Sequence, residues 1–138
     1  MTMGYCKDKL LKIWGIGFAI LFFLLVIQTF MGKYGEKYAD VIGWLVALTV
    51  PTLSLMFGVF IADKQGNSLQ DIEADRTLFK IAEFSSLIYF LLIYLVFFIE
   101  PLVSFSPFQM VNISKPFFGV ISGFITLIIG YFFVKRQS

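Results

Sequence analysis

Histidine is absent from all 138 residues, and cysteine occurs once. Without histidine the chain lacks the commonest metal ligand and the side chain that ordinarily titrates near neutral pH. Ser-His and Cys-His nucleophile pairs go with it. The single cysteine, Cys6, rules out an intrachain disulfide. Charge is scarce as well: only 14% of residues are Asp, Glu, Lys or Arg, against roughly a quarter in soluble domains. The chain contains no glycine-rich phosphate loop, and no carboxylate pair falls at mid-depth of its apolar runs. A coupled transporter ordinarily needs such a charged or broken-helix site. The expectation is a protein without enzymatic activity, cofactor or metal. A net charge of +2 carries no nucleic-acid motif.

What is abundant is apolar. Hydrophobic residues make up 59% of the chain, and Phe alone occurs 18 times. The length suits one domain. A hydrocarbon core of about 30 Å requires roughly 20 mainly apolar residues in helix. Four stretches satisfy this: Ile13–Met31, Val41–Ala62, Lys80–Glu100 and Pro116–Val134. The first is too long for a signal-peptide core, and no small-residue cleavage site follows it. The predicted fold is all-α, an integral membrane four-helix bundle.

Basic residues orient it. Lys7, Lys9 and Lys12 precede the first span, Lys64, Arg76 and Lys80 lie between the second and third, and Lys135 and Arg136 follow the fourth. Eight therefore share one side, against three (Lys33, Lys37 and Lys115) on the other. The positive-inside rule then places both termini in the cytoplasm, in a bacterial inner membrane if the source is bacterial. Trp14, Trp44, Tyr34, Tyr38 and Tyr131 fall near span ends, the pattern of aromatic belts. Cys6 reads as a small residue near a chain end, with acylation beside the membrane as the functional alternative.

The loop "GNSLQDIEADRTLFK" opens on a helix-start signal, with Ser68 as cap and Asp71 three residues on. Neither Gly nor Pro interrupts Leu69 to Glu100. One continuous helix there would be about 48 Å long, so the third helix is expected to extend into the cytoplasm over about residues 69–79. Asp71, Glu73 and Asp75, with Lys64, Arg76 and Lys80, are the candidates for contact with a cytoplasmic regulatory protein or an acidic ligand. Their bland reading is a solvated face whose acids complement the helix dipole. The other long loop, "EPLVSFSPFQMVNISKP", is expected to lie along the membrane surface, and its Asn112-Ile113-Ser114 is a glycosylation sequon.

Lipid gives helices no hydrophobic reason to associate, so small residues at close-packed faces do that work. Gly119, Gly123, Thr126 and Gly130 share one face of the fourth span, and Gly43, Ala47, Ser54 and Gly58 lie near one face of the second. Packing within one bundle and packing between copies are both open. In "VALTVPTLSLMFGVF", Pro51 leaves the carbonyl of Ala47 without its helical donor. Compensation is required in lipid, and Thr49, Thr52 and Ser54 are near enough to supply it. A kink follows, either static or acting as a gate hinge. Glu83 lies about a turn inside the third span, with Lys80 three residues before it and Ser86 and Tyr89 continuing its face. An intramembrane carboxylate is a functional candidate; the alternative is an interfacial Glu83–Lys80 pair. Asp40, Asp63 and Glu100 read as span terminators.

The run "PTLSLMFGVFIAD" followed by "DRTLFKIAEFSSLIYFLLIYL" resembles small bacterial four-span membrane effectors of anti-phage defence systems. The resemblance implies a homo-oligomer that perturbs the membrane when a soluble partner triggers it, and assigns no residue roles. Two expectations for function therefore stand. One is a homo-oligomeric, ion-conducting or membrane-disrupting effector, its pore lined or gated by Thr49, Pro51, Thr52, Ser54, Glu83 or Ser86. The other is a non-catalytic anchor or scaffold in a larger complex, with those polar groups satisfied inside one protomer.

Overall fold

The computed structural model describes residues 1–65, 73–99, 102 and 104–134. Four helices account for nearly all of them: α1 (Met3–Phe30), α2 (Tyr38–Gln65), α3 (Arg76–Ile99) and α4 (Pro107–Val134). All four are long and apolar enough to cross a membrane. At 1.5 Å per residue α1, α2 and α4 reach about 42 Å and α3 about 36 Å, against about 30 Å of hydrocarbon. Their ends therefore extend into the headgroup zone. Phe23, Phe84, Phe98, Phe117 and Phe124 are each about two-thirds exposed on the outer surface, as lipid-facing side chains are. The chain is an integral membrane protein with an all-α four-helix fold.

Local chemistry sets the helix ends, and two of them differ from the sequence reading. α1 begins ten residues early because the Thr2 hydroxyl accepts the Tyr5 N–H at 3.4 Å. It ends in a Schellman arrangement: Gly32, at φ +76°, donates to the Thr29 carbonyl, and Lys33 donates to that of Gln28. α4 begins nine residues early, so "PFQMVNISK" is helix and not a surface loop. Its cap is reciprocal. The Ser106 Oγ accepts from the Gln109 N–H at 3.3 Å, while the Gln109 Oε1 accepts from the Ser106 N–H at 3.0 Å. Pro107 stands at the first helical position, where its missing N–H breaks no helical hydrogen bond.

The expected continuous helix from Leu69 is corrected. Glu73, Ala74 and Asp75 are not helical, and α3 starts at Arg76. The reason is a better cap: Asp75 Oδ1 accepts from the N–H groups of Thr77 at 2.8 Å and Leu78 at 3.1 Å. The extended piece pairs with the start of the chain instead. Ala74 donates to the Met1 carbonyl at 3.0 Å, and Thr2 and Glu73 form an antiparallel bridge. The proposed Ser68–Asp71 cap lies outside the described residues.

α1 packs beside α2 and α3, and α4 packs beside the same two, so α1 faces α4 across one diagonal and α2 faces α3 across the other. The starts of α1 and α3 and the ends of α2 and α4 meet at one end of the bundle. Lys7 pairs there with Asp63 and lies 5.9 Å from the centroid of the Phe133 ring, and Lys9 pairs with Glu83. The core is aromatic. Trp14 stacks on Tyr89 at 5.7 Å and meets Phe90 edge-on at 5.1 Å; Phe118 touches both Tyr89 and Trp44, and Trp44 meets Phe97. Trp14, Trp44 and Tyr34 are therefore core residues, not the belt residues that their position in the sequence suggests. With α1 starting at Met3, Trp14 sits about three turns into the helix.

Candidate functional site

The polar candidates fall into three places. The first is inside the bundle. The Ser86 hydroxyl, fully buried, accepts the indole N–H of Trp14 at 3.0 Å and donates to the Ala82 carbonyl at 2.7 Å. Thr49, also fully buried, donates to the Leu45 carbonyl of its own helix at 2.7 Å. The Tyr89 hydroxyl, from α3, donates to the Leu48 carbonyl on α2 at 3.1 Å. That last bond was not anticipated. Pro51 frees the carbonyl of Ala47, so this bond reinforces the turn before the proline at the neighbouring carbonyl, and it comes from the opposite helix rather than from Thr49, Thr52 or Ser54. The signal was present in the sequence as a Tyr on the same face as Glu83 and Ser86, but no single-helix argument points it at α2. Ser54 is exposed. A buried polar group in lipid has no water to fall back on, and within the described core the exception is Trp44, whose indole N–H has no partner.

The second place is the basic end. Glu83 does not pair with Lys80 as expected. Its Oε1 accepts from Lys9 on α1 at 2.6 Å, because the early start of α1 brings three lysines level with the start of α3. Lys7 meets Asp63 at 2.6 Å, with only 11% and 22% of the two side chains exposed. Asp63 is thus more than a span terminator: it joins α2 to α1. Lys12 pairs with Asp8 four residues back at 2.7 Å. Of the partner candidates, Asp75 caps α3, Glu73 bridges to Thr2, and Lys64 lies 4.6 Å over the Phe60 ring. Arg76 and Lys80 are exposed, and Asp71 lies outside the described residues. Cys6 is fully buried, which removes it as an accessible acylation point.

The third place is a groove of about 640 Å³ between α2 and α4. Ala47 and Pro51 form one wall, and Gly119, Gly123 and Gly130 the other. At its floor the hydroxyls of Thr52 and Thr126 lie 3.1 Å apart. The glycines expected to draw helices together do not do so within the chain. A Cβ placed on Gly43, Gly58, Gly119, Gly123 or Gly130 would meet open space within 4 Å. The bulk of the aromatic core keeps the helices too far apart for glycine contacts. The glycine that does permit a close approach is Gly17, where a Cβ would lie 2.9 Å from the Phe90 ring.

Compared with known proteins, the chain matches no family model, no curated protein and no solved structure.

Proposed function

We propose that this membrane protein is a non-catalytic anchor or scaffold subunit, one that holds an assembly in the bilayer and does not itself form a pore. The observation that carries this reading is the fate of its polar side chains. Ser86 is taken by Trp14, Glu83 by Lys9, and Thr52 by Thr126. A conducting protomer would aim such groups at water or at a symmetry axis, whereas here the bundle centre is filled with aromatic rings packed face-on and edge-on. In the orientation that the basic residues favour, both termini and the α2–α3 connection face the cytoplasm of a bacterial inner membrane. Exposed Arg76 and Lys80 are then available to a soluble partner on that side.

One observation favours the second reading, a homo-oligomeric conducting effector. The α2–α4 groove presents small residues and Pro51 outward, a surface suited to close approach by a helix of another copy. Any conducting path would then lie between copies around a symmetry axis.

Reconstitution of the full chain in liposomes separates the two. Particle mass in detergent gives the stoichiometry, and flux of an encapsulated ion gives the conductance. The scaffold reading expects no flux at any stoichiometry. Flux that scales with the amount of protein and falls when Thr52 or Pro51 is replaced would overturn it in favour of the effector.

A further inference from the structure

The four-helix surface carries a second kind of groove, between α1 and α3, and its chemistry differs from that of the α2–α4 groove. It encloses about 480 Å³. Ile13, Ile16, Ile20 and Leu91 line it, and Lys9 and Lys12 stand at its mouth. Its floor is fixed from below. Gly17 lets the Phe90 ring lie against the α1 backbone, and the Tyr94 hydroxyl donates to the Gly17 carbonyl at 3.2 Å. A second hollow of about 570 Å³ adjoins it across Leu87, with Lys80 and Thr77 at the same end. Lys9 and Glu83 join the two across their 2.6 Å ion pair.

We propose that this cleft is a binding site for one anionic phospholipid of the surrounding bilayer. Three features argue for that occupant. From Lys9 to Ile20 the groove runs about 16 Å along the helix, close to half of a hydrocarbon core of about 30 Å, which is the depth of one leaflet. An acyl chain entering at the lysines therefore ends where the groove ends. At the mouth, Lys9 pairs with Glu83 and Lys12 with Asp8, while Lys80, in the adjoining hollow, is exposed and has no ion pair among the described residues. The balance is one positive charge in excess, which matches the single negative charge of a phosphodiester headgroup. Basic pockets between membrane helices hold anionic headgroups by this means. The α2–α4 groove, by contrast, has no basic residue in its walls. The site rests on the membrane reading of the helices and is independent of whether the protein is a scaffold or an effector.

Native mass spectrometry of the full chain in detergent, titrated with phosphatidylglycerol and with phosphatidylcholine of identical acyl chains, tests it. The wild type is expected to retain phosphatidylglycerol preferentially. Lys12→Gln and Lys80→Gln are exposed changes, and each is expected to weaken that preference by up to about fivefold, the worth of one lysine near an anionic surface. Leu87→Trp alters a half-exposed side chain and fills the groove, so it should reduce retention with every charge in place. Equal retention of the two lipids by the wild type, or an unchanged preference in the Lys12→Gln, Lys80→Gln double variant, would overturn the proposal. So would displacement of the lipid by millimolar glycerol phosphate, because that would mark a headgroup-only anion site with no need of the acyl groove.

Discussion

Replacing Ser86 by alanine tests whether hydrogen bonds between helices, rather than within them, hold this bundle together. Ser86 Oγ makes two bonds, but only one depends on the tertiary structure. Losing the hydroxyl's donation to Ala82 leaves that carbonyl with its ordinary helical acceptor role. Losing acceptance from Trp14 strands an indole N–H at 0% exposure among Tyr89 and Phe90. A stranded buried donor in a soluble protein costs about 1–3 kcal/mol. Between membrane helices the measured range is smaller, averaging about 0.6 kcal/mol with a maximum of about 1.7. Full burial and a 3.0 Å geometry put Ser86→Ala at the upper end, about 1.5 kcal/mol. Thr49→Ala is the control. It is equally buried, but its hydroxyl bonds only the Leu45 carbonyl of its own helix, so the expected loss is below about 0.5 kcal/mol. Equilibrium unfolding in mixed micelles, followed by circular dichroism, reads both. In the Trp14→Phe background, where no indole remains to be stranded, Ser86→Ala should cost about 1 kcal/mol less than in the wild type. Equal losses for Ser86→Ala and Thr49→Ala, or no coupling in the cycle, would refute the reasoning.

Other outcomes follow from the same geometry. Trp44→Phe should destabilise less than Trp14→Phe in the same unfolding assay, because the Trp44 N–H has no bond to lose. Gly17→Ala forces a Cβ to within 2.9 Å of Phe90 and should cost about 1–3 kcal/mol by overpacking, whereas Gly119→Ala enters open space and should be neutral, or stabilising by up to about 1 kcal/mol through helix propensity. If the α2–α4 groove joins copies, Gly119→Leu should lower the detergent-phase stoichiometry while leaving the unfolding midpoint of the single chain unchanged. Lys7→Ala strands Asp63 in a mostly buried pair and should cost more than the Lys7→Ala, Asp63→Asn double variant; equal losses would mean that the pair is solvated in detergent.

Much of the ladder of elements was readable along the chain, and the misplaced ends have local causes. "SPFQ" at Ser106–Gln109 is a capping box with proline at the first helical position, legible from residue types alone. The three prolines of "EPLVSFSPFQMVNISKP", Pro101, Pro107 and Pro116, favour a loop when taken alone and hide that cap. In "EADRT" the helix start falls at Asp75 and not earlier, because Glu73 and Ala74 pair with Thr2 and Met1, a contact some seventy residues away in the chain. The candidate sites were less legible. Glu83 had a charge-matched neighbour at Lys80, and only the arrival of α1 supplies the closer partner, Lys9.

The amino-acid order alone determined that four stretches are long and apolar enough to cross a bilayer, that eight of eleven basic residues fall on one side of those spans in the sequence, and that a proline lies in the middle of the second. Each of these depends on length, hydropathy or charge read along one line. Tertiary structure decided which side of each helix faces protein. α1 and α2 are apolar nearly all the way round, so no polar stripe separates a lipid face from a packed one, as it does in a helix bathed by water. Bulky Trp14, Tyr89 and Phe118 chose the interior by fitting one another, and Gly43, Gly58, Gly119, Gly123 and Gly130, unlike Gly17 under Phe90, have no neighbour against them.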